Sequence, residues 1–133
     1  MRQIQQLSQV LGRVIAAVIG LKGSGQAQHA IEIINKALNE ELKLDIDALM
    51  EMNPEEMIQK LEQKKGINEE NLERVADLFF ELGKKMNEEQ TKPEKMKALF
   101  SRALHIYRYI EDQGNIYSID RNHKIQKISE LLE

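Results

Sequence analysis

The chain has 133 residues, of which 41% are hydrophobic and 31% are charged, and its formal net charge is -3. This length suits one domain with a core, and the composition is typical of a folded protein and not of a disordered or membrane-spanning one. The lack of cysteine excludes disulfides and thiolate metal sites, and the slight acidity gives no support for nucleic-acid binding, which usually needs a basic face.

Helix breakers are rare, with two prolines and seven glycines, and β-branched residues are scattered among strong helix formers. The sequence therefore predicts an all-α fold of about 5–7 helices in a single domain, residues 1–133. The apolar stretch Val10–Leu21 is too short to span a bilayer, contains Arg13, and is not followed by a convincing cleavage pattern. We expect it to belong to the folded domain of a cytoplasmic protein.

The first predicted hairpin covers residues 2–42. In its first helix, which ends near Leu21, apolar residues recur at steps of three and four, the period of a helix that packs along one side. Val10, Ile15 and Ile19 widen this stripe to about half of the helix circumference. One partner helix would not cover so wide a stripe, so we expect the first helix either to lie between two internal layers or to contact a second copy of the chain.

A turn at Lys22-Gly23-Ser24-Gly25 redirects the chain, because glycine adopts the positive-φ conformations that end helices. The segment lacks the preceding strand and the lysine ending of a phosphate-binding loop. The second helix then runs to about Leu42, and Ile33 lies on a different side from its other apolar residues. Ile33 is therefore a further candidate for contact outside the hairpin.

Three further units follow: a helical insertion at 44–66, a hairpin at 68–112 and a terminal helix at 118–132. Asn53-Pro54 has the form of a helix start, with asparagine as N-cap and proline at the first helical position, and this helix is expected to end near Gly66. Asn68 is the predicted N-cap of the next helix. The second hairpin closes at Gly114-Asn115, and Ser118 or Asp120 caps the terminal helix, which we expect to cover the exposed end of the domain.

Small and apolar residues recur at one spacing in the second helix of each hairpin, in Ala30-Ile31-x-x-Ile34-x-x-Ala37-Leu38 and in Met96-x-x-Leu99-Phe100-x-x-Ala103-Leu104. Small residues at such positions allow two helices to cross closely. Preceded by Leu82-Gly83-x-x-Met86, the second segment resembles one tetratricopeptide repeat. The first hairpin resembles the repeat in its second helix only, because its first helix lacks the usual aromatic positions.

The whole chain, from its Met-Arg-Gln-Ile start to Ile128-x-x-Leu131-Leu132, also resembles small bacterial proteins of a domain-of-unknown-function family with a tetratricopeptide-like fold. The resemblance implies tetratricopeptide-like hairpins with a short helical insertion and a C-terminal capping helix. It also implies a bacterial origin. It supplies no active-site motif.

Residues with catalytic or metal-binding chemistry form no recognisable motif. His29, His105 and His123 lack the spacing of a helical metal site, and the paired glutamates lie mostly at helix ends, where negative charge suits the helix dipole. We therefore predict no catalytic residue, no metal and no cofactor. The alternative is an enzyme or a small-molecule-binding protein whose site lies around the last hairpin, where Glu111 could meet His105 and His123.

A candidate groove is predicted on the second hairpin, where Arg102, Arg108 and Tyr109 point away from the core side on which Tyr107 lies. Arginine and tyrosine together suit stacking and the binding of carboxylates. A second alternative is weak nucleic-acid binding by a basic stripe of Lys84, Lys85, Lys95, Lys97, Arg102 and Arg108. Interspersed glutamates favour a solvated surface over this stripe, and no nucleic acid is expected as a partner.

The sequence thus favours a protein-interaction or self-association module without catalytic activity. The candidate self-association residues are Val10, Ile15, Ile19 and Ile33, and the expected partner is a protein or a second copy, as in a homodimer. Binding to a membrane surface is disfavoured, because the polar side of the first helix is richer in glutamine than in lysine.

Overall fold

The computed structural model describes residues 2–23, 25–114 and 117–132. These residues form helices and turns with no strand among them, which confirms the predicted all-α class. The described ranges contain seven helices: α1 (Arg2–Gly20), α2 (Gln26–Leu42), α3 (Ile46–Glu51), α4 (Pro54–Glu62), α5 (Glu69–Glu89), α6 (Pro93–Gln113) and α7 (Ile119–Leu132). The predicted turn residues Ser24 and Asn115 lie outside the described residues.

Three helices begin at polar residues that the sequence predicts as N-caps. The side chains of Asn53, Asn68 and Ser118 each accept a hydrogen bond from the backbone N–H three residues later, at 2.8, 2.9 and 3.1 Å. These bonds satisfy donors that have no partner inside the helix. Ser118, and not Asp120, is therefore the residue that caps α7.

The end of α4 differs from the prediction. The helix stops at Glu62, and the chain turns at Gly66, which has a φ of 87°. A Cβ atom at Gly66 would lie 2.9 Å from the backbone oxygen of Gln3 in α1. The absence of a side chain at Gly66 thus allows the turn and also allows its backbone to approach α1 closely. The local sequence gives no sign of this tertiary contact.

Helices α1 and α5 run in the same direction. The amide of Asn71, near the start of α5, donates to the backbone oxygen of Ile4 near the start of α1. At the other ends of the two helices, the ammonium of Lys85 donates to the backbone oxygen of Leu21. Helix α1 packs on both α2 and α5, so most of its wide apolar stripe is covered within the chain.

The turn between α1 and α2 is held by α5. Gly25, at the N-cap of α2, has no side chain that could cap the helix, and the carboxylate of Glu89 accepts from the backbone N–H of Ala27 at 2.9 Å instead. Lys85 binds the carbonyl of Leu21, just after α1. We name the two α5 residues, Lys85 and Glu89, the α5 clamp. It satisfies the adjoining ends of two helices from a distant part of the chain.

The insertion packs on both hairpins. Helix α3 contacts α2 and α6, and α4 contacts α6. The backbone N–H of Ile46 donates to Asn35 Oδ1 at 2.8 Å, while Arg102 Nη2 donates to the backbone oxygens of Met50 and Met52 at 3.2 and 2.9 Å. The arginine thus satisfies carbonyls at the end of α3. Buried side chains from all seven helices join in one hydrophobic core.

The crossing of α5 and α6 depends on Gly83. This glycine is buried, and a Cβ atom placed on it would lie 2.7 Å from Cε1 of the Phe100 ring. Phe100 is itself fully buried and packs edge-on against Phe80, with ring centroids 6.1 Å apart. A small residue lies at this crossing, as the Leu82-Gly83 motif predicts, because nothing larger fits beneath the ring.

We expect Gly83→Ala to lower the free energy of unfolding by about 1–2 kcal/mol. Overpacking of a core costs about 1–3 kcal/mol, and the higher helix propensity of alanine returns up to about 1 kcal/mol of this loss. Urea denaturation followed by circular dichroism measures the difference. Unchanged or increased stability would show that the Phe100 ring moves aside at no cost.

Candidate functional site

The three candidate self-association residues of α1 lie on two different flanks of that helix, and the fourth, Ile33, belongs to α2. At 100° per residue, Ile15 and Ile19 follow Ser8 and Gly12 along the flank of α1 that faces α5, whereas Val10 lies on the flank that faces α2. Val10, Ile15 and Ile33 are half-buried, and Ile19 is 53% exposed. The four residues therefore do not form one patch, and the flank beside α5 keeps the exposed isoleucine.

A shallow open groove of about 560 Å³ runs along this flank. Its lining residues come from α1 and α5 and are Ser8, Gln9, Gly12, Arg13, Ala16 and Arg74. The exposed Ile19 lies on the same flank, one helical turn beyond Ala16. We name the residues Ser8, Gly12, Ala16 and Ile19 the α1 strip.

Arg74 lies directly across Gly12. A Cβ atom on Gly12 would be 2.9 Å from Nη1 of this arginine, and Nη2 of the same arginine pairs with Glu70 at 3.1 Å. Glu70 also accepts from Ser8 Oγ at 3.3 Å. The groove thus combines small and apolar α1 side chains with the guanidinium groups of Arg13 and Arg74 at its borders.

We expect Gly12→Ala to raise the free energy of unfolding by about 0.5–1 kcal/mol, the opposite of the effect at Gly83. Glycine inside a helix costs about that much relative to alanine, and the new methyl group meets only the end of the flexible Arg74 side chain. Urea denaturation of the two variants side by side tests the contrast. A destabilised Gly12→Ala variant would show that the position of Arg74 matters for the fold.

The three candidate groove residues of α6 make contacts with different parts of the molecule. Arg102 is turned toward α3, where it binds the two carbonyls described above. Arg108 is exposed, and Tyr109 is half-buried with its hydroxyl donating to Glu62 Oε2 at 2.8 Å. That bond raises the pKa of Tyr109. Arg102 and Tyr109 thus tie α6 to the insertion.

Tyr109 borders a cleft of about 240 Å³ between α4, α5 and α6. Its apolar wall consists of Ile67, Leu72 and Ile110, and its polar wall includes the carboxylates of Glu62 and Glu69. The cleft is smaller than most ligand pockets, which measure about 300–1,000 Å³. Its chemistry suits a small cation with an apolar body.

The residues proposed for a metal or enzyme site are not assembled. Glu111 accepts from Arg121, and neither the groove on α1 nor the Tyr109 cleft is lined by His105, Glu111 or His123. Among the residues that the structure describes, no group of three histidine, aspartate or glutamate side chains could hold a metal ion.

Four residues of the proposed basic stripe are engaged within the chain. Lys84 pairs with Glu81, Lys95 pairs with Asp47, Lys85 belongs to the α5 clamp, and Arg102 binds α3. Lys97 and Arg108 are exposed. The stripe is therefore divided among internal contacts and does not form a continuous basic face.

A cluster of charged and hydroxyl groups joins α7 to the second hairpin. Arg121, only 5% exposed, pairs with Glu73 of α5 at 2.9 Å and with Glu111 of α6 at 2.5 Å. Lys124 Nζ lies 3.0 Å from Asp77 Oδ1, and the same oxygen accepts from the hydroxyl of Tyr107 at 2.6 Å. We name these six residues the α7 cluster.

Burial and neighbouring charges shift the pKa values of three side chains in the α7 cluster. Burial raises the pKa of Glu73, although the guanidinium of Arg121 opposes that shift. Burial and the neighbouring Asp77 also raise the pKa of Tyr107, which therefore stays neutral and donates its proton. For Lys124, burial lowers the pKa, but the carboxylates of Asp77 and Asp120 outweigh it and leave the pKa raised. The lysine is thus charged at neutral pH.

Sequence reasoning missed both the α1 strip and the α7 cluster. A signal for the strip was present, since Gly12, Ala16 and Gly20 recur every four residues on the side of α1 away from the core. The sequence signal for the α7 cluster is weaker: Arg121-x-x-Lys124 and Glu73-x-x-x-Asp77 present opposite charges at helical spacing. Neither pattern shows which helices will meet.

No helix in the described residues is both long and apolar enough to cross a membrane. Comparison of the chain with protein-family models, with curated proteins and with solved structures gives no match.

Proposed function

We propose that this chain is a protein-interaction module without catalytic activity and that its partner docks on the α1 strip. The observation that carries the proposal is Gly12, a glycine inside a 19-residue helix where only a flexible arginine end would meet a side chain. Such a glycine weakens the helix, and the fold gains no close helix crossing from it. It does, however, leave the backbone of α1 open to a close approach from outside.

The residues around the α1 strip indicate what kind of partner it can bind. Ala16 and Ile19 are exposed and can contact an apolar stripe, while Arg13 and Arg74 at the borders can bind carboxylates. An amphipathic helix with small or apolar residues on one side and acidic residues beside them meets both requirements. Such a helix can come from another protein or from a second copy of the chain. Tetratricopeptide-like hairpins and a cytoplasmic bacterial setting are consistent with such a module.

Two neighbouring alanines provide the test. Ala16 and Ala17 are both exposed on α1, but only Ala16 lines the groove. We expect Ala16→Arg to abolish association and Ala17→Arg to leave it unchanged, because the two side chains point about 100° apart. Light scattering over a range of concentrations detects association with a second copy.

If the wild-type chain is monomeric throughout that range, the same two variants are compared as baits in an affinity purification. A protein retained by the wild type and by Ala17→Arg, but lost with Ala16→Arg, supports the proposal. Equal behaviour of the two variants in both measurements contradicts it. Circular dichroism confirms that both variants keep the helical content of the wild type.

The Tyr109 cleft favours a second candidate function, the binding of a small organic cation. Among the residues that the structure describes, two carboxylates line the cleft beside an apolar wall, and the lining includes no arginine or lysine. Titration with butylammonium, with butanol as the neutral control, tests this function by chemical-shift changes at Tyr109. Equal effects of the two compounds would contradict it.

A further inference from the structure

The groove beside the α1 strip is bordered by arginines from two helices. Arg13 follows Gly12 in α1, points about 100° away from it and is exposed. Arg74 borders the groove from α5, and its Nη1 faces Gly12. Each of the two helices therefore contributes a guanidinium group to a groove whose other α1 residues are uncharged.

These guanidinium groups have hydrogen-bond donors that the fold does not use. Arg74 Nη2 pairs with Glu70, but among the described residues its buried Nε and its Nη1 have no hydrogen-bond partner. Arg13 Nε donates to the backbone oxygen of Gln9 at 3.4 Å, and within the same part of the chain its two Nη atoms have no partner. Guanidinium groups carry donors and no acceptor, so carboxylates match these positions best.

The carboxylates of α5 do not balance this positive charge. Asp77 and Glu81, further along the helix, pair with Lys124 and Lys84 at 3.0 and 3.3 Å. Glu70 lies beside the groove and already pairs with the α5 arginine at 3.1 Å. The groove thus has two guanidinium groups against one carboxylate, an excess of positive charge that an acidic partner would neutralise.

We infer that the α1 strip binds an acidic amphipathic helix of another protein and not a second copy of this chain; this inference rests on the proposed function, since it names the partner of the same strip. A two-fold contact would place the α1 strip of one copy on the same strip of the other. The sequence of α1 contains no aspartate or glutamate. Such a contact would therefore bring four guanidinium groups together with only the two Glu70 carboxylates, and like charges across an interface disfavour association.

The length of the strip and its glycine set the form of the partner helix. From Ser8 to Ile19 the strip is about 16 Å long, at a rise of about 1.5 Å per residue, which corresponds to about three helical turns. A small partner residue opposite Gly12 allows the two backbones to approach closely. Acidic residues on both edges of the partner's contacting face can then reach the two arginines.

Two synthetic peptides of about three heptads test this charge preference. Both carry alanine at position a and leucine at position d, and they differ only at e and g, which are glutamate in one peptide and lysine in the other. Like charges at e and g keep each peptide from pairing with itself. We expect fluorescence anisotropy to show at least tenfold tighter binding of the glutamate peptide to the wild-type chain, although the net charge of -3 opposes it. High salt should weaken this binding.

Reversal of the groove charges should reverse the preference. The variant Arg13→Glu with Arg74→Glu is expected to bind the lysine peptide more tightly than the glutamate peptide. The matched control, Lys97→Glu with Lys127→Glu, changes the net charge equally at exposed residues outside the groove and should keep the wild-type preference. If the groove variant loses its helical circular dichroism, the exposed Arg13→Glu alone replaces it and should reduce the preference at least threefold.

The inference is overturned if the wild-type chain binds the two peptides equally or binds neither. It is also overturned if its preference survives the reversal of both groove arginines, or if the lysine control loses the preference as well.

The variant Ala16→Arg separates this inference from the proposed function. Equal binding of the two peptides that Ala16→Arg abolishes would overturn the acidic partner and leave the α1 strip as the docking surface. A wild-type dimer that Ala16→Arg abolishes would have the same meaning, with a second copy as the occupant. Binding of the glutamate peptide that Ala16→Arg leaves unchanged would contradict both proposals, because the peptide would then bind outside the strip.

Discussion

Replacing Arg121 with alanine is expected to lower the free energy of unfolding by about 3 kcal/mol, because removal of one partner from a buried ion pair leaves the other charges without compensation. Here the charges left behind are Glu73 and Glu111, which both face the guanidinium from different helices. Urea denaturation gives the overall loss. Hydrogen exchange of the α7 amides shows whether it falls on the terminal helix, as the position of Arg121 predicts.

A second substitution separates this mechanism from a simple loss of packing. Burial raises the pKa of Glu73, so the folded chain binds that proton more tightly than the unfolded chain does. The charged form of Glu73 therefore costs stability at neutral pH, and this cost disappears as the pH falls through the raised pKa. Adding Glu73→Gln to Arg121→Ala should then recover part of the loss.

Lys127→Ala is the matched control for Arg121→Ala, since it removes a cation from the exposed side of the same helix. A change within about 0.5 kcal/mol is expected there. An equally small effect of Arg121→Ala would mean that the α7 cluster contributes nothing to the attachment of α7.

The second large effect is expected at Asn71, where Asn71→Leu should cost about 2–4 kcal/mol. The side-chain amide of this fully buried residue donates to the backbone oxygens of Ile4 and Gly66 at 3.1 and 2.6 Å. Each buried acceptor that loses its donor costs about 1–3 kcal/mol. Leucine branches at the same atom and has as many side-chain heavy atoms, so the substitution leaves no cavity, and the loss combines the two missing hydrogen bonds with the tighter packing of a larger side chain.

Asn87→Leu provides the comparison, because Asn87 is an exposed residue of the same helix. Urea denaturation of both variants should show a loss only for Asn71→Leu. If the two variants are equally stable, the junction of α1, α5 and the Gly66 turn is held by apolar packing alone.

Local signals in the sequence explain the features that were predicted correctly. Asn53 and Asn68 act as N-caps through atoms only three residues away, so the pattern contains the whole interaction. The burial of Tyr107 follows from helical periodicity for the same reason. Gly83 was predictable because a small residue between large apolar ones is typical of a close helix crossing.

Features that join distant parts of the chain could not be predicted. Glu89 caps a helix 62 residues earlier, and Arg121 enters the interior because two carboxylates on other helices receive it. Sequence patterns place an arginine or a glutamate on a polar face but do not identify the element that will face it. Arg102 was expected to line a groove and instead satisfies the carbonyls of α3 for this reason.

The α5 clamp makes the first hairpin dependent on a segment that is synthesised much later. The carbonyl after α1 and the first N–H groups of α2 receive Lys85 and Glu89 only when residues beyond 85 have left the ribosome. Until then the turn between α1 and α2 has unpaired polar groups, and the α5-facing side of α1 is uncovered. We therefore expect the N-terminal half of the chain to stay incompletely folded until α5 has been synthesised, with apolar surface of α1 exposed during that interval.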